Sequence, residues 1–449
     1  MVTNTLTLVN HASVLIKGQK QSILTDPWYD GEAFHRGWRL LYENKENDIE
    51  YVLNNTKFIW ISHEHPDHFS IGFFRKYKSL IIDNKIVVMF QHTKDKRVIS
   101  FLKKGGFQSM ELASGEAFAL EDKFTVRVVK DEFYDSALLV DVAGISIFNL
   151  NDCAMHSQKR ITAFKNQYGC CDVLLTQFSY AAWKGGRDHI EWRRSAAQDK
   201  LTSLVRQGQT LQAKTVIPFA SFMYFANVLN VREFCRASNA DFRCVFLKPM
   251  ESFDLDDNDR PKQQESSLSF WENAYASNKT YIQYEDSYSI DQLSKLFKTY
   301  CERLKKKNAW WLIRVCRYLR IAFRPITIKL VDTGEVLRVD LAKRKLGPAV
   351  ADPEIALHSE SFAFILKFPY GFDTLGVNGT FEELKQGGFD KFTKTFAIEN
   401  LNNIGYSFKL SLAFDLNVIL IFIGRLMRAS RKLNAGKPVA REVVRARAA

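Results

Sequence analysis

The run Ile61-Ser-His-Glu-His-Pro-Asp-His-Phe-Ser70 constrains this chain more than any other stretch. It packs His63, His65, Asp67 and His68 into six residues directly after the apolar segment Phe58-Ile-Trp-Ile61. A loop leaving a buried strand can point alternate side chains the same way. His63 and His65 can therefore grip one metal, while Asp67 and His68 reach a second position or a metal-bound water. Imidazole and carboxylate suit zinc or iron, and a bound water of lowered pKa is a nucleophile near neutral pH. A polar turn with incidental histidines is the bland alternative. It fits poorly, because three of the nine histidines fall in this one loop.

A chain of 449 residues is too long for one ordinary domain, and 46% apolar residues with 35 Phe can fill two cores. Met1 to Gly18 lacks a basic start followed by a long apolar run, so no secretory signal is expected. Leu416 to Gly424 is too short to span a bilayer. Seven cysteines without a Cys-x-x-Cys, including the adjacent Cys170 and Cys171, read as reduced thiols of a cytoplasmic protein.

The net charge of +13 is concentrated in two places. Arg303, Lys305, Lys306, Lys307, Arg314, Arg317, Arg320 and Arg324 interleave with Trp310, Trp311, Ile313 and Leu319. A tail from Arg425 to Arg447 carries the second cluster. Such clusters suit peripheral contact with an anionic membrane, a phosphate-bearing substrate or, less well here, nucleic acid; they are equally ordinary as a solvated helix face.

Strand-like segments recur at 5–9, 12–16, 58–61, 85–90, 124–129, 137–142, 145–149, 173–176 and 215–218, with helical patterns at 71–78 and 190–209. The polar stretch 254–264 predicts a linker or long loop between a catalytic domain over 1–253 and a basic α+β region over 265–449. Strands Ile326 to Leu330 and Val336 to Leu341 are expected in the latter. Several acids fall at strand ends: Asp26 before Pro27, Asp135, and Asp152 before Cys153. Each alone would be a turn or cap residue.

The histidine loop resembles the signature His-x-His-x-Asp-His of the metallo-β-lactamase superfamily. Leu24 to Glu43, Asp135-Ser-Ala-Leu138, Asn151-Asp-Cys153 and Ile217-Pro-Phe-Ala-Ser-Phe222 further resemble the CMP-N-acetylneuraminate and UDP-N-acetylmuramate hydroxylases, over residues 1 to about 250. Phe362 to Pro369 continues the likeness faintly. The resemblance implies an α/β fold with an αββα sandwich, followed by a smaller α+β region. It also implies an activated amino sugar as substrate, a metal role for Asp152 and, in that group, hydroxylation of an N-acyl methyl at mononuclear iron.

Two departures bear on the reaction. The hydroxylases carry a Rieske cluster, which needs a Cys-x-His and a Cys-x-x-His; this sequence has only Cys153-Ala-Met-His156. Hydroxylation would then draw electrons from a separate donor protein. The later ligand histidines of hydrolytic members are replaced by Asp135 and by Ala220-Ser221. The expected metal ligands are His63, His65, Asp67, His68, Asp135 and Asp152, holding zinc or iron, with Asp67 also orienting the water as base. Hydrolysis of an amide, ester or lactone on an activated or phosphorylated amino-sugar-type substrate leads narrowly. Iron-dependent hydroxylation follows, and a degenerate metal-binding scaffold at a membrane surface is the non-enzymatic alternative. His11, Asp26, Lys184, Arg187 and Arg193 are expected to contact substrate, the basic ones clamping a phosphate. The expected partners are thus a small sugar or phosphate-bearing molecule and a separate electron-donor protein.

Overall fold

The computed structural model describes residues 3–131, 134–185, 189–222, 241–256, 265–277 and 284–414. Two seven-stranded sheets form the first domain. The first runs in the order Glu251–Asp254, Thr5–Asn10, Ser13–Lys17, Ser22–Thr25, Phe58–Ile61, Val87–Gln91, Gln108–Leu112. The second runs Arg243–Cys244, Thr215–Phe219, Val173–Gln177, Ile145–Asn151, Asp135–Val142, Phe124–Asp131, Ala117–Glu121.

Alternating strand residues build the layers. Leu6, Leu8, Val14, Ile16, Ile23 and Trp60 of the first sheet share one core with Val126, Val128, Leu138 and Val140 of the second. The opposite faces of Val9, Leu15, Leu24, Ile59 and Ile61 pack under helices Glu46–Asn54, Ile71–Lys76 and Arg97–Gly105. Helices Gln158–Tyr168 and Ile190–Thr210 cover the second sheet through Ile161, Phe164, Leu201 and Leu204. This is the expected αββα sandwich. The pattern expected as one helix over 71–78 is two, because Tyr77 leaves helical geometry (φ −101°, ψ 18°) before helix Lys78–Asp83 begins.

The boundary expected at 254–264 lies later. Asp254 pairs with Thr5 in the first sheet, and Asp256 accepts hydrogen bonds from Asn4 N and Nδ2 at 2.8 and 2.7 Å. Helix Glu265–Ser277, placed in the second region by sequence, packs on the first core: Trp271 is fully buried, stacks on Phe222 at 3.8 Å and donates to Leu247 O. Residues 257–264 lie outside the described residues.

The second domain is a five-stranded sheet, Lys345–Pro348, Val336–Asp340, Ile326–Leu330, Ile355–Leu357, Phe381–Glu383. Helix Ile290–Lys307 lies on it, burying Leu293, Phe297, Tyr300, Cys301 and Leu304 at helical spacing, and begins with a Ser289/Gln292 capping box. The domains dock intimately. Trp183 stacks on Phe381 at 4.8 Å and donates its backbone N–H to Gly376 O, while Arg36 pairs with the buried Glu360.

Candidate metal centre

The site gathers at one edge of the sandwich, where strands of both sheets end. His11 follows Thr5–Asn10, Asp26 follows Ser22–Thr25, and the histidine loop follows Phe58–Ile61. From the other sheet come Asp152 after Ile145–Asn151, and Asp135 at the start of its strand. The carboxyl ends of parallel strands are where α/β sheets place ligands. His11, Asp26, Asn151 and Ala220 all hold positive φ here, between 35° and 53°. Non-glycine residues adopt that region at a cost, and such positions cluster at functional sites.

Asp26 is the hub beneath the loop. It is 1% exposed, and its carboxylate accepts from Ser62 N at 2.7 Å, Ser62 Oγ at 2.8 Å and Asn151 Nδ2. His68 Nδ1 lies 3.1 Å from Asp26 Oδ2, so that nitrogen carries the proton and Nε2 is left as the donor atom toward the site. The same logic fixes His63. Ser62 Oγ gives its proton to Asp26 and accepts from His63 Nδ1 at 2.9 Å, which leaves His63 Nε2 unprotonated. One buried carboxylate thereby orients two imidazoles.

His65 is fixed from the second domain. Its Nε2 meets Asp373 Oδ2 at 3.2 Å, and Asn400 Nδ2 holds Asp373 Oδ1 at 3.2 Å. His65 Nδ1 then faces His63 Nε2 at 2.8 Å. A proton on His65 Nδ1 can fill that contact as a hydrogen bond to His63 Nε2, and a cation bound there would displace it.

The remaining donors extend the cluster. His68 Nε2 lies 3.2 Å from Asp67 Oδ2 and 3.5 Å from Asp152 Oδ1; His11 Nε2 lies 3.4 Å from Asp67 Oδ2. His63 Nε2 is 3.7 Å from Asp135 Oδ1 and 4.0 Å from Asp152 Oδ2. Two groups of ligand atoms are close enough to hold an ion, His11–Asp67–His68 and His63–His68–Asp152. His11 Nε2, His68 Nε2, Asp67 Oδ1 and Asp135 Oδ1 are buried without a hydrogen-bond partner. Buried polar atoms are costly to leave unpaired, so nitrogen and oxygen donors left without a hydrogen bond around these two ligand groups fit a divalent cation.

Charge in the cluster is strongly redistributed. Burial alone would depress the His68 imidazolium, but Asp67, Asp152 and Asp26 outweigh it and raise its pKa well above the usual range. Burial, reinforced by the neighbouring His68 and His65, drives His63 well below it. Burial also opposes the His65 imidazolium, yet Asp373 overcomes this and lifts it to about 9. Asp135 is pushed up to about 8 by burial and by the charge of Asp152. Behind Asp152 stands a relay: Gln177 Nε2 donates to its Oδ1, and Lys200 Nζ donates to Gln177 Oε1 at 2.7 Å.

The model of the beta-lactamase superfamily domain matches residues 5–220. The match takes in just under half of the chain and most of the first domain. The chain is similar to the cytidine monophosphate-N-acetylneuraminic acid hydroxylase of Danio rerio, at 24% identity over 49% of this chain and 38% of that protein. A putative Rieske 2Fe-2S iron-sulfur protein of Mycolicibacterium smegmatis is 27% identical over 40% of this chain and 35% of its own length. The chain thus spans well under half of these relatives. Among solved structures, CmlA, a diiron beta-hydroxylase from Streptomyces venezuelae, shares 14% identity over 57% of this chain and 54% of its own, with a TM-score of 0.43.

The six expected ligand residues of this superfamily domain are brought together. Two residues expected at the substrate lie elsewhere: Asp26 is sealed beneath the histidines as their anchor, and His11 stands among the ligand atoms, 1% exposed. Burial of both side chains is the reason. Lys184 acts on Lys200 behind Asp152, and Arg193 on Tyr180; neither lines the cavity described next. Arg187 lies outside the described residues.

A cavity of about 530 Å³ opens beside His65 between the two domains. Its walls include Phe34, Tyr134, Phe364 and Tyr370, with Glu64 and Asp373 near His65. Arg97 on its rim is paired with Asp95 at 2.6 Å. Sequence reasoning missed Asp373, the Gln177–Lys200 relay and the second domain's share of this cavity. No local pattern announces a contact between residues 308 positions apart.

Proposed function

We propose that the protein is a metal-dependent hydrolase, cleaving an amide, ester or lactone bond on an amino-sugar-type substrate. The observation that carries this reading is the convergence of His63 Nε2 and His68 Nε2 on Asp152, and of His68 Nε2 and His11 Nε2 on Asp67, with His65 Nδ1 against His63 Nε2. His63, His65 and His68 with Asp67, Asp135 and Asp152 would hold the ion or ions, and His11 would complete a second position beside Asp67. A bound divalent cation supplies Lewis acidity and a water acidic enough to attack near neutral pH.

The chain's own groups do the rest. Asp67 Oδ1, buried and unpartnered, accepts the proton of the attacking water and returns it to the leaving amine or alkoxide. Asp26 and Asp373 hold the imidazoles in the required tautomers. The cavity favours a particular substrate face: aromatic rings for a sugar's apolar side, and carboxylates that accept from hydroxyls or an amine. Arg97, the one guanidinium among the described residues that line it, is already paired with Asp95, which argues against phosphate in this chamber.

The test is turnover of a panel of N-acetylated and lactone sugars by zinc- or manganese-loaded protein. His63→Ala with His65→Ala should abolish product while circular dichroism is unchanged; activity surviving that pair sinks the reading. Hydroxylation with a separate electron donor is the second reading, supported by the hydroxylase relatives. Oxygen uptake coupled to a reduced ferredoxin or Rieske protein, with an iron-loaded sample, would favour it instead. Loss of His63 and His65 without any phenotype would favour the scaffold.

A further inference from the structure

Helix Trp310–Tyr318 of the second domain turns Ile313 fully into the core and leaves a large apolar face outside. Trp311, Val315, Tyr318 and Leu319 follow one another at helical spacing, so they share that face. They are 54%, 41%, 85% and 57% exposed, and Ile321 just beyond is 61% exposed. Single exposed apolar residues are ordinary, but a contiguous face marks an interaction surface.

Cations surround it. Arg314 lies within the same face, and Lys305, Lys306, Lys307, Arg320 and Arg324 are exposed on either side in sequence. None of these six forms an ion pair among the described residues, whereas the inward-turned Arg303 and Arg317 are held by Glu399 and Asp340, both at 2.7 Å. Next to the helix a cleft of about 630 Å³ is lined by Lys298, Arg338, Lys343, Arg344 and Lys345 around the Arg317–Asp340 pair.

We propose that this face docks the protein on an anionic lipid surface. Apolar side chains in the middle would enter the headgroup boundary while the cations meet phosphate and carboxylate groups, the pairing that gives reversible interfacial binding. Nucleic acid would reward the cations but leave Val315, Leu319 and Ile321 with no apolar partner. No helix among the described residues is long and apolar enough to cross a membrane, and surface docking requires none.

The experiment is co-sedimentation of the full chain with vesicles of phosphatidylcholine alone and of phosphatidylcholine with phosphatidylserine. The wild type should bind only the latter, and weaken as salt rises. Trp311→Ser with Leu319→Ser, and separately Arg314→Glu with Arg320→Glu, should each lower the partition about tenfold or more, with unchanged thermal unfolding. Because the tail beyond residue 414 is also basic, these variants decide the matter. Binding to neither vesicle, equal binding to both, or binding indifferent to both variants overturns the proposal. So does a dimer in solution that the Trp311→Ser/Leu319→Ser variant dissociates, or tighter binding of a DNA oligonucleotide with the same sensitivity.

Discussion

Replacing Asp373 with alanine removes the carboxylate that, among the described residues, meets His65 Nε2 at 3.2 Å, without touching the histidine loop itself. The imidazole then loses both the partner that selects its Nδ1 lone pair and the contact that fixes its ring. Loss of an outer partner of a ligand histidine costs about 10- to 100-fold in metal affinity, equivalent to about 1.4–2.7 kcal/mol. The side chain is 28% exposed, so the fold should tolerate the change. Asp373→Asn keeps an oxygen that accepts the His65 proton and should lose distinctly less. The assay is competition for zinc against a fluorescent chelator, with thermal unfolding of the metal-free forms as control. Affinity of Asp373→Ala within twofold of wild type would refute the idea that the second domain orients a metal ligand.

Other outcomes follow from the same geometry. Asp26→Ala strips a buried carboxylate from Ser62, His68 and Asn151 and should destabilise the chain by about 3–5 kcal/mol in urea unfolding, against a negligible change at an exposed control such as Glu50. Metal binding should release protons at pH 7, because His65 near 9 and Asp135 near 8 both hold one there in chelator-stripped protein. Affinity should therefore climb between about pH 7 and 9, and calorimetry in two buffers of different ionisation heat should reveal the released protons. The sign for stability is opposite. Both groups are raised above their unfolded values, so stripped protein binds more protons when folded and loses stability as pH rises toward 9.

The first domain was legible because its signals are local. Apolar runs such as Phe58–Ile61 and Val173–Gln177 are buried strands at the positions their composition predicts, and the histidine loop sits at a strand end as its spacing requires. Helix Glu265–Ser277 misled because the polar run before it looks like a linker, while its allegiance is decided by Trp271 finding Phe222 and Leu247. His11 looked like a pocket residue, since nothing near it in sequence suggests a ligand; only the crossing of the first strand beside the loop brings it to Asp67. Asp26 has the letters of a turn before proline, and its role depends on burial that composition does not reveal.

The most direct test of the central claim is elemental analysis of the full chain, purified with and without oxygen, beside the His63→Ala/His65→Ala variant. A metal-dependent hydrolase predicts one or two zinc ions per chain, indifferent to air and lost in the variant. One air-sensitive iron per chain would contradict hydrolysis in favour of hydroxylation, and no metal above background in the wild type would contradict the metal centre itself.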